Sequence, residues 1–373
     1  MRRLECLDGL RGVLAMYVLL SHMAPFAAVP GWAARPLSHG EAAVDIFFIL
    51  SGMVIVRSLQ AFQYAAPPFL IARVGRIFPV FLAVFPFAAA IQVIPTGFAL
   101  MPWIGPDSLA CSTWSGGWRP NWVAEIAAHL TMTHGLFPDA VLPDVWVSFL
   151  GAAWSLSTEW QFYIVVALLA GPLGRGRIST THLVLIFLGL AAAGIAWQGM
   201  APSGWGFSRA FLPNKAQYFA LGIAGAVLQQ RPDAASSRGY AMTLGAVLLE
   251  CGVQGGVEKM AAPLLWTACL AAEMGLGGRG TAMLATLLRR REMLWLGAVS
   301  YCIYLVNGPA QKLLGAVLAR LSHGDGAMFT AVWIPGAILL PVLLSWMLHV
   351  TVEQAGQRWG KAASLRVKLA SGT

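Results

Sequence analysis

Charged side chains stand in this chain where lipid-compatible residues would be expected. From Leu4 to Phe26 it reads LECLDGLRGVLAMYVLLSHMAPF, a stretch fit to cross a bilayer that nevertheless holds Asp8, Arg11 and His22. A charge at the centre of a membrane helix costs about 2.5 to 3.5 kcal/mol on insertion scales, so such groups usually face a protein interior and act there. Arg11 and His22 are eleven positions apart, roughly 16 Å along a helix, and eleven steps of about 100° return to nearly the same direction. A guanidinium near one membrane surface and an imidazole near the other therefore line one side of one helix. Alone, His22 would more often be a packed, hydrogen-bonded histidine than a catalyst, so its meaning depends on its neighbours.

The second apolar stretch, GEAAVDIFFILSGMVIVRSL, places Asp45 at a depth similar to that of His22. A carboxylate beside an imidazole fixes its tautomer and raises its basicity, as general-base chemistry requires. The plain alternative for Asp45 is a helix N-terminal carboxylate favoured by the macrodipole, and that is the expected role of Glu41. Arg73 and Arg76, in FLIARVGRIFPVF, are three apart and share a helical face. Two forked guanidiniums suit a phosphate-bearing ligand, although basic residues before a span often only set topology. In AAWSLSTEWQFYIVVALL, Glu159 falls about thirteen residues into its span, roughly 20 Å deep. There it must meet a cation such as Arg11 or Arg76, or serve as a functional acid or base. Tyr301, Tyr304 and Asn307 recur at helical spacing in VSYCIYLVNGPAQK and offer hydroxyl and amide groups to a central cavity.

The elements that must position these groups are helices in a membrane. Of 373 residues, 58% are hydrophobic and 11% charged, against about 25% charged in soluble domains. Runs long enough to span give about ten candidates, at 8–26, 41–57, 77–95, 146–170, 182–198, 211–229, 240–256, 261–277, 292–320 and 328–350. An all-α polytopic membrane protein is expected, with the spans packed around a central cavity and a basic tail over 351–373.

With the N-terminus in the cytoplasm, inside segments collect Arg2, Arg3, Arg57, Arg73, Arg76, Arg175, Arg177, Arg289, Arg290 and Arg291. Outside segments hold only Arg35, Arg119, Arg209 and Lys259. This asymmetry predicts both termini inside. It also makes the net charge of +9 topogenic, with anionic lipid as a partner and nucleic acid excluded. A secretory signal peptide is disfavoured because signal cores tolerate charge poorly and the chain stays membrane-like to its end.

Five cysteines without paired spacing indicate neither a disulfide framework nor a zinc site, and no metal is expected. His129 and His134 are five apart and do not share a helical face, which argues against a metal pair. Trp103, Trp114, Trp118 and Trp122 crowd one long outside segment, which is a candidate lid over an acceptor. The glycine pattern GLGGRG from Gly275 follows no strand, so it fails the context test for nucleotide binding. No repeat or soluble domain is visible, and residues 1–373 read as a single membrane domain.

Taken together, LDGLRGVLAMYVLLSH, VDIFFILSGMVI, ARVGRIFP, WSLSTEWQFY and SYCIYLVN resemble, in that order, the acyltransferase-3 family of membrane-bound O-acyltransferases in its stand-alone form. The resemblance implies that an acyl group, usually acetyl, is taken from cytoplasmic acyl-coenzyme A and delivered to a hydroxyl of an extracytoplasmic glycan or lipid-linked sugar. It carries the family's arginine-to-histidine spacing onto Arg11 and His22, its paired arginines onto Arg73 and Arg76, its aspartate onto Asp45 and its glutamate onto Glu159. Many relatives end the tyrosine motif in histidine where this chain has Asn307.

The expected mechanism docks coenzyme A phosphates on Arg73, Arg76 and Arg11 and has His22, oriented by Asp45 or Glu159, deprotonate the acceptor. Ser51, Tyr301 or Asn307 would donate to the oxyanion. The donor would be a substrate rather than a permanently bound cofactor. The expected location is a bacterial cytoplasmic membrane, with polysaccharide synthesis machinery as a partner. The rival from another class is a proton-coupled transporter or flippase of a glycan, because intramembrane Arg, Glu and His also mark proton pathways.

Overall fold

A computed structural model describes residues 4–370 apart from 96, 109, 112, 113, 115 and 116. Arg2 and Arg3, counted above among the topology signals, lie outside the described residues. Every regular element among the described residues is helical. The helices of nine residues or more are α1 (Glu5–Met23), α2 (Gly40–Ala61), α3 (Ala66–Ala90), α4 (Trp122–Leu130), α5 (Trp154–Gly174), α6 (Thr180–Met200) and α7 (Ala216–Gln230). They continue with α8 (Ala234–Gly255), α9 (Ala261–Met274), α10 (Arg279–Leu288), α11 (Arg291–Leu321), α12 (Gly326–Leu348) and α13 (Gln354–Ala370). Local chemistry sets several of the starts. Prolines at the head of α3 pre-set the helical φ where no N–H partner is needed. Asp325 accepts from the amides of Ala327 and Met328 to cap α12.

Among the described residues, seven helices are individually long and apolar enough to cross a membrane, or eight if a bent pair counts as one span. That is fewer than the ten expected, and the difference lies in three runs. The run at 211–229 becomes α7, only 15 residues long and buried over most of its length, so it is apolar because it packs inside protein. The runs at 240–256 and 261–277 become α8 and α9, which qualify only together with α10 across an 86° bend. At the other extreme, α12 and α13 join through a π-helical turn, His349–Glu353. The resulting continuous stretch, Gly326–Leu369, is 44 residues long, about twice what a bilayer needs.

Two close helix contacts place the site. A Cβ on Gly297 of α11 would lie 2.0 Å from the carbonyl oxygen of Asp8, and one on Gly12 would lie 2.7 Å from the amide nitrogen of Gly297. Only glycine lets α1 and α11 approach this closely, and their contact sets Arg11 against the tyrosine face of α11. In the same way a Cβ on Gly222 of α7 would lie 1.9 Å from the carbonyl oxygen of Ile49, which locks α2 and turns Ser51 toward the interior. The space enclosed by α1, α2, α3, α5 and α11 is the cavity described next.

Candidate active site

A cavity of about 400 Å³ opens among these five helices. Its walls carry Arg11 from α1, Ser51 and Arg57 from α2, Arg73 and Arg76 from α3, Glu159 and Tyr163 from α5, and Tyr301 and Tyr304 from α11. Six of the residues given a catalytic, donor-binding or oxyanion role from the sequence, Arg11, Ser51, Arg73, Arg76, Glu159 and Tyr301, thus meet in one place.

The carboxylate in this cavity is held by hydroxyls. Glu159 accepts through Oε1 from Ser51 Oγ at 2.7 Å and from the Tyr163 hydroxyl. Tyr301 donates its hydroxyl hydrogen to the carbonyl of Ile77 at 2.6 Å, so the donor expected for an oxyanion is already engaged. Buried Arg73 lies over the rings of Phe69 and Tyr163, at 5.4 and 5.1 Å, with Nε lacking a partner. Arg57 donates to Gln229. Among the described residues no hydrogen bond or ion pair holds the guanidiniums of Arg11 and Arg76. Arg11 instead feels Arg76 as a like charge and Asp8, Glu159 and Glu353 as opposite ones. One end of the bundle thus gathers positive charge with donors to spare.

The other end is organised by pairing. His22 Nδ1 lies 2.6 Å from Asn307 Oδ1. The Asn307 amide can point only one way, because Nδ2 donates to the carbonyls of Ile303 and Tyr304 at 2.9 and 2.7 Å. Oδ1 therefore accepts, His22 Nδ1 carries the hydrogen, and Nε2 keeps its lone pair. That is the tautomer a general base needs. It also corrects two expectations. With both amide hydrogens committed, Asn307 has none for an oxyanion. And the group that orients His22 is this amide, neither Asp45 nor Glu159.

Asp45 is engaged elsewhere. Its Oδ1 lies 2.7 Å from Lys215 Nζ, which also reaches Glu41 Oε1 at 2.7 Å, and Arg209 Nη1 completes the network on Glu41 Oε2 at 2.8 Å. Equal depth put Asp45 level with His22, but its side chain turns toward α7. Lys215, fully buried, was overlooked in the sequence. Its signal was present, because a lysine inside the apolar run 211–229 requires a carboxylate partner.

The tryptophan segment folds down onto the bundle. Trp114 stacks on Phe26 with centroids 3.7 Å apart, and Trp103 donates to the carbonyl of Phe26. Trp118 and Trp122 keep about two-fifths of their surface exposed. Nearby, the rings of His129 and His134 lie parallel, 4.1 Å apart and 6° from coplanar in tilt, both fully buried. His129 donates to the carbonyl of Glu125, and His134 to that of Ala153 at the start of α5. Burial lowers the pKa of His129 to about 4 and that of His134 well below the ordinary value. They are neutral packing groups that tie α4 to α5.

A family model described as an acyltransferase domain matches residues 4–350. Among curated proteins, the chain is 26% identical over 363 residues to the "Putative membrane-bound transacylase BcsY" of Komagataeibacter xylinus, covering 94% of this chain and 82% of that protein. No solved structure matches it.

Proposed function

The chain belongs to the acyltransferase-3 family and is an integral membrane protein, and from that premise we propose that it moves an acyl group from cytoplasmic acyl-coenzyme A to a hydroxyl on the far side of the membrane. One observation carries this reading: Arg11, Arg73 and Arg76 converge on a single membrane-embedded cavity, where Arg11 and Arg76 have no hydrogen bond or ion pair among the described residues. With Arg57 the cavity carries four guanidiniums against the carboxylates of Asp8 and Glu159, and an excess of positive charge held in an apolar bundle calls for an anion. Planar guanidiniums suit the paired oxygens of phosphate, and the phosphates of coenzyme A supply them. The pantetheine arm would then run along the cavity past Ser51 and Glu159 toward Tyr304.

At the far end, Nε2 of His22, which lies outside this cavity, would take the proton from the acceptor hydroxyl, and the side chains between cavity and histidine would part to let the hydroxyl oxygen attack the thioester carbonyl. The carbon–sulfur bond breaks, and the departing thiolate takes up the proton that His22 holds, which restores the neutral imidazole. Asn307 holds His22 in the required tautomer, and the Ser155 and Tyr304 hydroxyls, 2.9 Å apart, border the reacting carbonyl. Glu159, fixed by Ser51 and Tyr163, balances the cationic wall.

The resemblance favours acetyl as the acyl group and an extracytoplasmic glycan, such as an exopolysaccharide, as acceptor. A bacterial cytoplasmic membrane and contact with polysaccharide synthesis machinery follow from that choice. The test pairs two readings on the same cells. Mass spectrometry of surface glycans should show O-acetyl groups only when the protein is present, and their membranes should release free thiol from acetyl-coenzyme A. Glycans unchanged by deletion, with proton flux that needs no acyl donor, would replace the enzyme with a transporter.

A further inference from the structure

On the α1 side the cavity stops well short of His22. Leu7, Asp8 and Arg11 line it, but no later residue of α1 does. Above Arg11 the space is filled by Ala15 and Leu19 of α1 with Val299 and Ile303 of α11, all nearly inaccessible, and Phe47 packs against this cluster. Phe47 meets Tyr304 edge to face, with centroids 6.2 Å apart and planes at 61°, and both rings line the cavity. Asn307, which holds His22, is one helical turn beyond Tyr304. Two rings therefore form the end wall between the arginine cavity and the histidine.

The two rings are held differently. Tyr304 is pinned through its hydroxyl by Ser155 at 2.9 Å. Phe47 is held by packing alone, and the groups behind it are small or aliphatic. On the proposed function, phosphates at the arginines leave the thioester near this wall, its carbonyl beside Tyr304 and Ser155 and its acyl tail directed at Phe47.

We infer that Phe47 determines acyl length, restricting the donor to acetyl-sized groups by closing the apolar space in front of Ala15, Leu19 and Ile303. A closed apolar pocket discriminates one methylene by about 10- to 200-fold. Removing the ring converts the wall into an apolar extension that accepts a longer chain.

This inference rests on the acyl-coenzyme A reading, and binding separates the two. The full-length protein in lipid nanodiscs is titrated with coenzyme A and with acetyl-, butyryl- and hexanoyl-coenzyme A. Wild type should bind hexanoyl-coenzyme A at least tenfold more weakly than acetyl-coenzyme A. Phe47→Ala should erase that difference, Phe47→Leu should halve it on a logarithmic scale, and Tyr304→Phe, which keeps the ring, should preserve it. Because Phe47→Leu keeps most of the packed volume, it guards against an alanine variant that does not fold. An unchanged length ratio in either Phe47 variant, or a wild type indifferent to length, overturns the inference and leaves the donor site intact. Failure of wild type to bind coenzyme A in any form removes the donor reading and this inference with it.

Discussion

The two ends of the bundle both carry charge, and they use it in opposite ways. At the Glu41 end the buried charges are paired with one another: Lys215 bridges Asp45 and Glu41, and Arg209 closes on Glu41. Inside the cavity Arg11 and Arg76 have no such partner among the described residues, and buried Arg73 is held by two aromatic faces. A buried ion pair that satisfies itself holds helices together and has little left for a ligand. An excess of buried cation over carboxylate is costly, and a protein keeps it where an anion arrives from outside. On the proposed function, the contrast gives Asp45 an architectural role and the arginines the donor.

This contrast makes graded predictions. His22→Ala should lower transfer by about 10²- to 10⁴-fold, the usual contribution of a positioned base, with an unchanged melting temperature and unchanged donor affinity. Lys215→Met strands the Asp45 carboxylate and should cost about 3 to 5 kcal/mol of stability, seen as a lowered melting temperature. Adding Asp45→Asn should restore most of it, whereas loss of activity at full stability in the double variant would move Asp45 into the chemistry.

The buried histidines add a pH signature. Above about pH 6.5, the ordinary histidine value, His129 is neutral both folded and unfolded and stability does not depend on it. As pH falls from there toward its folded value of about 4, the unfolded chain takes a proton that the fold refuses. Stability then drops by about 3 kcal/mol, and His134 acts in the same direction. Melting temperature followed from pH 7 to pH 4 should show this decline, and His129→Leu should flatten it. The smallest effect is expected from Asn307→Leu. It frees the His22 tautomer and should lower kcat by about tenfold, the scale of one hydrogen bond, without changing KM for the donor.

Much of the cavity was readable in advance because lipid makes charge expensive. Arg11 and Glu159 each violate the rule for a membrane span, Arg73 and Arg76 stand at the inner edge of one, and the cheapest way to satisfy these charges is to bring them together. The partner of His22 was not readable in that way. Depth along a helix follows from counting residues, but azimuth depends on which neighbour the helix packs against, so Asp45 and His22 could be level and still face apart. Asn307, one turn past Tyr304, reads in the sequence as an amide facing the cavity and as a departure from the histidine seen in relatives, never as the partner of His22. The surplus of expected spans has a related cause. A short helix such as α7, surrounded by protein, is as apolar as one surrounded by lipid, and composition does not tell the two environments apart.

The central claim is that the cavity arginines are reserved for the phosphates of the donor, and comparison of coenzyme A with pantetheine, which lacks those phosphates, tests it directly. In nanodiscs the wild-type protein should bind coenzyme A at least tenfold more tightly than pantetheine, and the combined Arg73→Ala and Arg76→Ala replacement should remove that advantage while leaving pantetheine binding unchanged. Equal affinity of the wild type for both ligands, or an advantage that survives loss of the two arginines, would contradict the claim.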